Sequence, residues 1–152
     1  MRQFTTIAAS LAVLLVGCAQ VPLAPQNADA EGKLFDPPAP GSAVLYLYRD
    51  SFLGSEVVLA LFDNQQQIGT LANKTWLRTE VAPGPQTIAC ASLNSQPFGQ
   101  GTTIDLAPGD VRFMAVVVSP GPPLSPRCAA SEVSPDQGRA EVQTGHRALL
   151  GR

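Results

Sequence analysis

"EVVLALFDNQQQIGTLANKTWLRTEV", residues 56–81, decides the fold. It opens with a dense run of strand-forming residues, 56–62. Asp63-Asn64 and the polar glutamines behind it mark a hairpin turn into "QQIGTLA". The next piece, "KTWLRTEV" (74–81), alternates. Trp76, Arg78 and Glu80 fall on one face, and Thr75, Leu77, Thr79 and Val81 on the other. A period of two between turn signals reads as a chain of short strands.

The same pattern extends in both directions. Upstream, "AVLYLYR" (43–49) is another β-type run. Downstream, Ala82-Pro83-Gly84 turns into "PQTIACAS", "TTIDLA" (102–107) follows, and Ala107-Pro108-Gly109 turns into "DVRFMAVVVS". Proline presets one φ and glycine frees the next to go positive, so both Pro-Gly pairs are strong turn signals. About seven short strands result, and the expected fold is all-β: a small antiparallel β-sandwich. A barrel is the rival architecture. No repeat of solenoid length is present. "SPGPPLSP" (119–126) is half proline, which excludes a central strand and reads as a loop. Ser134-Pro135-Asp136-Gln137 is a helix start, with serine as cap, proline at the first helical position and glutamine at the third. It predicts a short C-terminal helix over roughly 135–143, weakened by Gly138.

Residues 44–88 resemble a domain-of-unknown-function family of bacterial lipoproteins with a PEGA-like β-sandwich. The matching places are Tyr48-Arg49, Ser51-Phe52-Leu53-Gly54, Asp63-Asn64, Ile68-Gly69-Thr70-Leu71, Trp76, and Pro83-Gly84-Pro85-Gln86-Thr87. Asn64 stands where that family usually has glycine, and Gln86 where it usually has histidine. The resemblance implies fold and location and carries no activity.

The N-terminus agrees on location. Arg2 is followed by an apolar stretch from Phe4 to Gly17, the layout of a bacterial export signal. At roughly 14 residues the stretch is shorter than the ~18–20 needed to span a bilayer. It ends in Leu15-Val16-Gly17-Cys18, which resembles the lipobox of bacterial lipoproteins. That resemblance implies cleavage between Gly17 and Cys18, and a lipid on the Cys18 sulfur and new amino group. Small residues at 16 and 17 admit the peptidase, and the thiol accepts the lipid. The plainer alternative is a secretory signal that leaves Cys18 as a thiol. Two or three acyl chains would anchor durably where one would not. Ala19, rather than aspartate, follows Cys18; by resemblance to enterobacterial lipoproteins this favours the outer membrane.

Without residues 1–17 the chain loses only Arg2 among its charged residues. Nine basic then stand against twelve acidic residues, a net charge of −3. That argues against a nucleic-acid partner and against an electrostatic grip on anionic lipid. Residues 18–42 are rich in proline and alanine without periodicity, and read as a tether; a proline-rich recognition segment is the alternative. The expected organisation is a signal peptide (1–17), the lipid-anchored tether (18–42), a β-sandwich (43–143) and a flexible tail (144–152).

Once Cys18 is set aside as the anchor, Cys90 and Cys128 remain. In an oxidising compartment a pair is best read as a disulfide, here closing about 38 residues and contributing about 3–4 kcal/mol. Free buried thiols or a reactive pair are the alternatives. His146 is the lone histidine. It has no visible nucleophile elbow or carboxylate pair around it, and reads as part of the tail. No catalytic residue, metal site or cofactor is expected beyond the covalent lipid. Three residues are candidates for binding. Trp76 and Arg78 share a face that could stack on a sugar, against the plainer reading of Trp76 as inter-sheet core. Arg49, within Tyr48-Arg49-Asp50, could meet a ligand, or could close a strand with an ion pair. The expected function is a non-enzymatic binding or scaffolding module, anchored in the envelope and facing the periplasm. The alternatives are an accessory subunit that docks on other envelope proteins, and a sugar or peptidoglycan binder on cell-wall glycan.

Overall fold

The computed structural model describes residues 20–93, 95, 101–121 and 125–151. Gly17 and Cys18 therefore lie outside the described residues. In chain order the elements are α1 (Gln26–Gly32), β1 (Ala43–Arg49), β2 (Leu59–Asp63), β3 (Gln66–Leu71), β4 (Thr75–Val81), β5 (Gly84–Ser92), β6 (Thr102–Leu106), β7 (Val111–Gly121), β8 (Ser125–Val133), α2 (Pro135–Thr144) and β9 (His146–Arg147).

Two sheets pack face to face. One has the order β8-β7-β1-β4-β9, the other β3-β2-β5-β6. All seven strands read from the sequence are present, with two more. The sandwich is not wholly antiparallel: β1 runs parallel to β7, and β4 parallel to β9. Alternation reports which face a residue takes, not which way a distant strand runs, so this departure had no local signal.

Strand β1 is buried along its whole length. Its two faces serve two cores. Leu45 and Leu47 join Leu61, Leu77, Ile88 and Met114 between the sheets. Val44, Tyr46 and Tyr48 point the other way, into a second cluster with Trp76, Phe113 and Val142. This double burial explains why "AVLYLYR" lacks alternation. Both helices sit over the second cluster, and each approaches through a glycine. A Cβ on Gly32 would fall 2.3 Å from Trp76 Cη2, and one on Gly138 2.3 Å from Phe113 Cβ. Gly138, a weak point by helix propensity, is what lets α2 lie close on β7. Helix α2 occupies the expected range, and Ser134 Oγ caps it by accepting from Gln137 N at 3.3 Å.

Residues 18–42 were expected as an unstructured tether, and the described part is not one. Val21 is buried in the inter-sheet core. Ala24 N donates to Arg147 O at 2.8 Å, and Leu149 N to Pro22 O at 2.9 Å. Helix α1 follows, and Asp29 Oδ1 accepts from Arg147 N at 2.5 Å. Phe35, held at φ 57°, packs its ring on Tyr46 and Phe113 with centroids 5.4 and 5.7 Å away. A bulky residue with positive φ is uncommon and needs such packing to hold it.

The expected flexible tail, residues 144–152, is also corrected as far as Gly151. His146 and Arg147 pair with Thr75 and Trp76, Ala148 bridges to Leu23, and Leu150 bridges to Gly69 on β3. The C-terminal segment thereby crosses from one sheet to the edge of the other.

The proline-rich stretch is corrected too. It is not a plain loop, because β7 and β8 keep their register to Pro120↔Pro126 and Gly121↔Ser125. Strand β8 is an edge strand, and Pro120 lies beyond the part of β7 that pairs with β1. Prolines are tolerated at such positions because no interior ladder bond is lost. The Cys90–Cys128 disulfide, with Cα atoms 5.9 Å apart, joins β5 to β8 and so one sheet to the other. Thr102 Oγ1 adds a 2.6 Å bond to Ala130 O beside it.

Candidate functional site

The three candidate binding residues do not form one surface. Trp76 and Arg78 share a face of β4, as read from the alternation. That face, however, is roofed by the helices, and Trp76 is 0% exposed. Its indole lies in the helix-covered cluster rather than in the inter-sheet core, with its centroid 5.8 Å from Tyr46 and the Arg147 guanidinium 5.6 Å above it. No sugar can stack on it. Arg78 emerges at the open end of the same face and pairs with Glu80 at 3.1 Å.

Around Arg78 lies a small polar hollow of about 190 Å³, formed by Glu31, Gly32, Asp36, Arg78 and Arg147. Two guanidinium groups face two carboxylates, so the charges compensate within the hollow. Behind its wall, the Tyr46 hydroxyl donates to Gly32 O at 2.8 Å. Burial raises the Tyr46 hydroxyl above the usual tyrosine range, and the nearby Arg78 charge acts the other way.

Arg49 is 1% exposed and does a different job. Its guanidinium donates to Gly54 O and Val57 O, and among the described residues no carboxylate pairs with it. Burial lowers its pKa from the ordinary arginine value, and the charge of Glu56 opposes that. Arg49 therefore clamps the loop between β1 and β2 from within. Ser51 N donates to Asn73 Oδ1 at 3.0 Å, and Ser51 Oγ to Leu53 O at 2.8 Å. Val57 N closes a turn on Gly54 O at 2.9 Å. The clamped loop presents Phe52, 95% exposed, with Leu53 beside it. The loop thus holds an aromatic side chain outward on a backbone that Arg49 fixes. "Ser-Phe-Leu-Gly" was visible in the sequence only as a family pattern. Nothing local said that the arginine before it turns inward to hold the loop.

A second feature escaped the sequence reading. Asp50, at the end of β1, meets Lys74 from the β3–β4 turn and Glu141 from α2. Lys74 holds the Asp50 carboxyl below the usual range. Partial burial, then the neighbouring Asp50, raise the Glu141 carboxyl. His146 is exposed, and its backbone N donates to Lys74 O at 3.0 Å. The carboxylate pair forms only in three dimensions, from residues about 90 apart in the chain. Among the described residues no group of three or more metal-ligating side chains comes together, and no helix is long and apolar enough to cross a membrane.

The structure thus defines a disulfide-linked β-sandwich with a helical cover on one sheet and a clamped apolar loop at its surface. No family model matches the chain, and no solved structure matches it. An uncharacterized protein of Haemophilus influenzae (strain ATCC 51907 / DSM 11121 / KW20 / Rd) is similar: 33% identical over 82 residues, 54% of this chain. The match spans about half, 49%, of that relative's length.

Proposed function

We propose that this chain is a lipid-anchored module of the bacterial cell envelope, held through Cys18, that works by binding another envelope component rather than by catalysis. The observation that carries the reading is Leu15-Val16-Gly17-Cys18 at the end of a short apolar stretch behind Arg2. The Cys90–Cys128 disulfide fits an oxidising compartment. The order of strands in residues 44–88 is in keeping with the PEGA-like lipoprotein sandwiches that this stretch resembles. Anchoring concentrates the domain at a membrane, where modest affinities suffice. Ala19 after the anchor favours the outer membrane.

Of the narrower readings, an accessory subunit that docks on an envelope protein is favoured by Phe52 and Leu53 on their clamped loop. The glycan-binding reading has lost its stacking platform, because Trp76 is enclosed. Photo-crosslinking from position 53 in cells, with the native anchor present, tests the docking reading. A discrete crosslinked protein, lost in Phe52→Ala, is expected; crosslinks only to lipid or none at all would remove it.

A further inference from the structure

The structure changes what an anchor at Cys18 would do. Residues 18–42 as a free tether would let the domain wander about 25–30 Å from the membrane. The chain is instead fastened to the fold from Val21 onward, by core burial of Val21 and by backbone bonds at Pro22 and Ala24. Cys18 is only three residues before Val21, a reach of at most about 10 Å.

An apolar patch lies on the same edge as Val21. Leu23, Leu149 and Leu150 are 51%, 47% and 45% exposed, on the two segments that pair through Leu23↔Ala148. Beside them is an open hollow of about 340 Å³ that Ala24, Pro25 and Ala28 share with Leu149 and Leu150. Arg147 at its rim is engaged, donating to Ala28 O at 2.9 Å. We infer that the edge made by residues 21–25 and 147–151 seats directly on the lipid surface, so that the anchored domain stands on the membrane in one orientation. The inference rests on lipidation of Cys18. Its physical basis is that a link this short cannot turn the attachment edge away from the bilayer, while three exposed leucines gain by entering the interface. Strand β6 belongs to the far edge of the other sheet and would then face away.

The test uses the full lipidated chain in phosphatidylethanolamine/phosphatidylglycerol vesicles doped with a brominated phosphatidylcholine. Leu149→Trp and, on β6, Asp105→Trp each add one tryptophan over the constant background of buried Trp76. Both sites are exposed, so folding is retained, as thermal unfolding would verify. About a two-fold loss of the added emission is expected for Leu149→Trp, as for a ring ~5–10 Å into the interface, and little for Asp105→Trp. Adding Leu23→Glu and Leu150→Glu should return the first to the level of the second. Protein that floats with the vesicles but shows equal quenching at both positions, or none, overturns the seating and leaves the anchor intact. Protein that carries no lipid and does not float overturns the anchor, and the seating with it.

Discussion

Asn64 Nδ2 donates a 2.6 Å hydrogen bond to Gln86 Oε1, joining the β2–β3 turn to β5. Asn64 and Gln65 both have positive φ, 47° and 71°, as a two-residue hairpin of the primed type requires. Asparagine tolerates that conformation. Its Oδ1 also accepts from Thr87 N at 3.1 Å, and Gln86 Nε2 donates to Ala82 O at 2.8 Å. Asn64 and Gln86 thus form a bonded pair that ties the turn to β5.

Asn64→Ala should cost about 1–3 kcal/mol, from two lost bonds and a strained backbone. Asn64→Gly should cost less, since only the bonds are lost. In urea unfolding, the double-mutant cycle with Gln86→Ala should show a coupling of about 0.5–1.5 kcal/mol. Strict additivity would mean that the pair does not act together.

The helix glycines give a prediction of opposite sign to propensity. On an isolated helix, Gly→Ala stabilises by about 1 kcal/mol. Here a Cβ at position 32 or 138 would overlap Trp76 or Phe113. Gly138→Ala and Gly32→Ala should each destabilise by about 1–3 kcal/mol, read from the urea midpoint. A gain in stability would show that the helices do not lie this close.

Arg49→Met removes both donors from the β1–β2 loop. Val57 O loses its side-chain donor and Gly54 O keeps only the turn bond from Val57 N, so stability should fall by about 1–2 kcal/mol, and the Val57 amide should exchange faster. The change at Val57 should exceed that at β5 amides, since the clamp is local.

The carboxylate pair gives a pH prediction. Asp50 is held below its ordinary range, so its ion pair with Lys74 stabilises the fold at neutral pH. That contribution is lost as pH falls below the usual aspartate range, through the lowered pKa. Glu141 is raised, so the folded state binds its proton more tightly than the unfolded chain. Its effect is full at pH below the ordinary glutamate range and is lost as pH rises through the raised value. Both groups face solvent, so the effects are small. Carboxyl chemical-shift titrations should show Lys74→Ala moving Asp50 up, and Asp50→Asn moving Glu141 down.

Much of the sandwich was legible because its strands carry their own signals: alternation in 74–81, two Pro-Gly turns, and a helix start at Ser134. What stayed hidden is tertiary. Strand β9 is two residues long and exists because β4 offers an open edge. Helix α1, "QNADAEG", has almost no apolar face and is held by Arg147, Gly145 and Gln143, more than a hundred residues away. Strand β8 was concealed by prolines that an edge strand tolerates. The site suffered most. Trp76 and Arg49 were singled out for residue type, and both turned inward, while Phe52 gained its place from an arginine whose direction no pattern records.

Fractionation of cells that express the full chain or Cys18→Ala, with intact-mass measurement of the mature protein, decides whether Cys18 is the lipid anchor. The native protein should partition with membranes, begin at Cys18 and carry the added mass of its acyl chains. Cys18→Ala should carry no such mass, with Cys90–Cys128 still formed. A native protein that lacks the lipid mass, or whose mature chain begins elsewhere than Cys18, would contradict lipid anchoring.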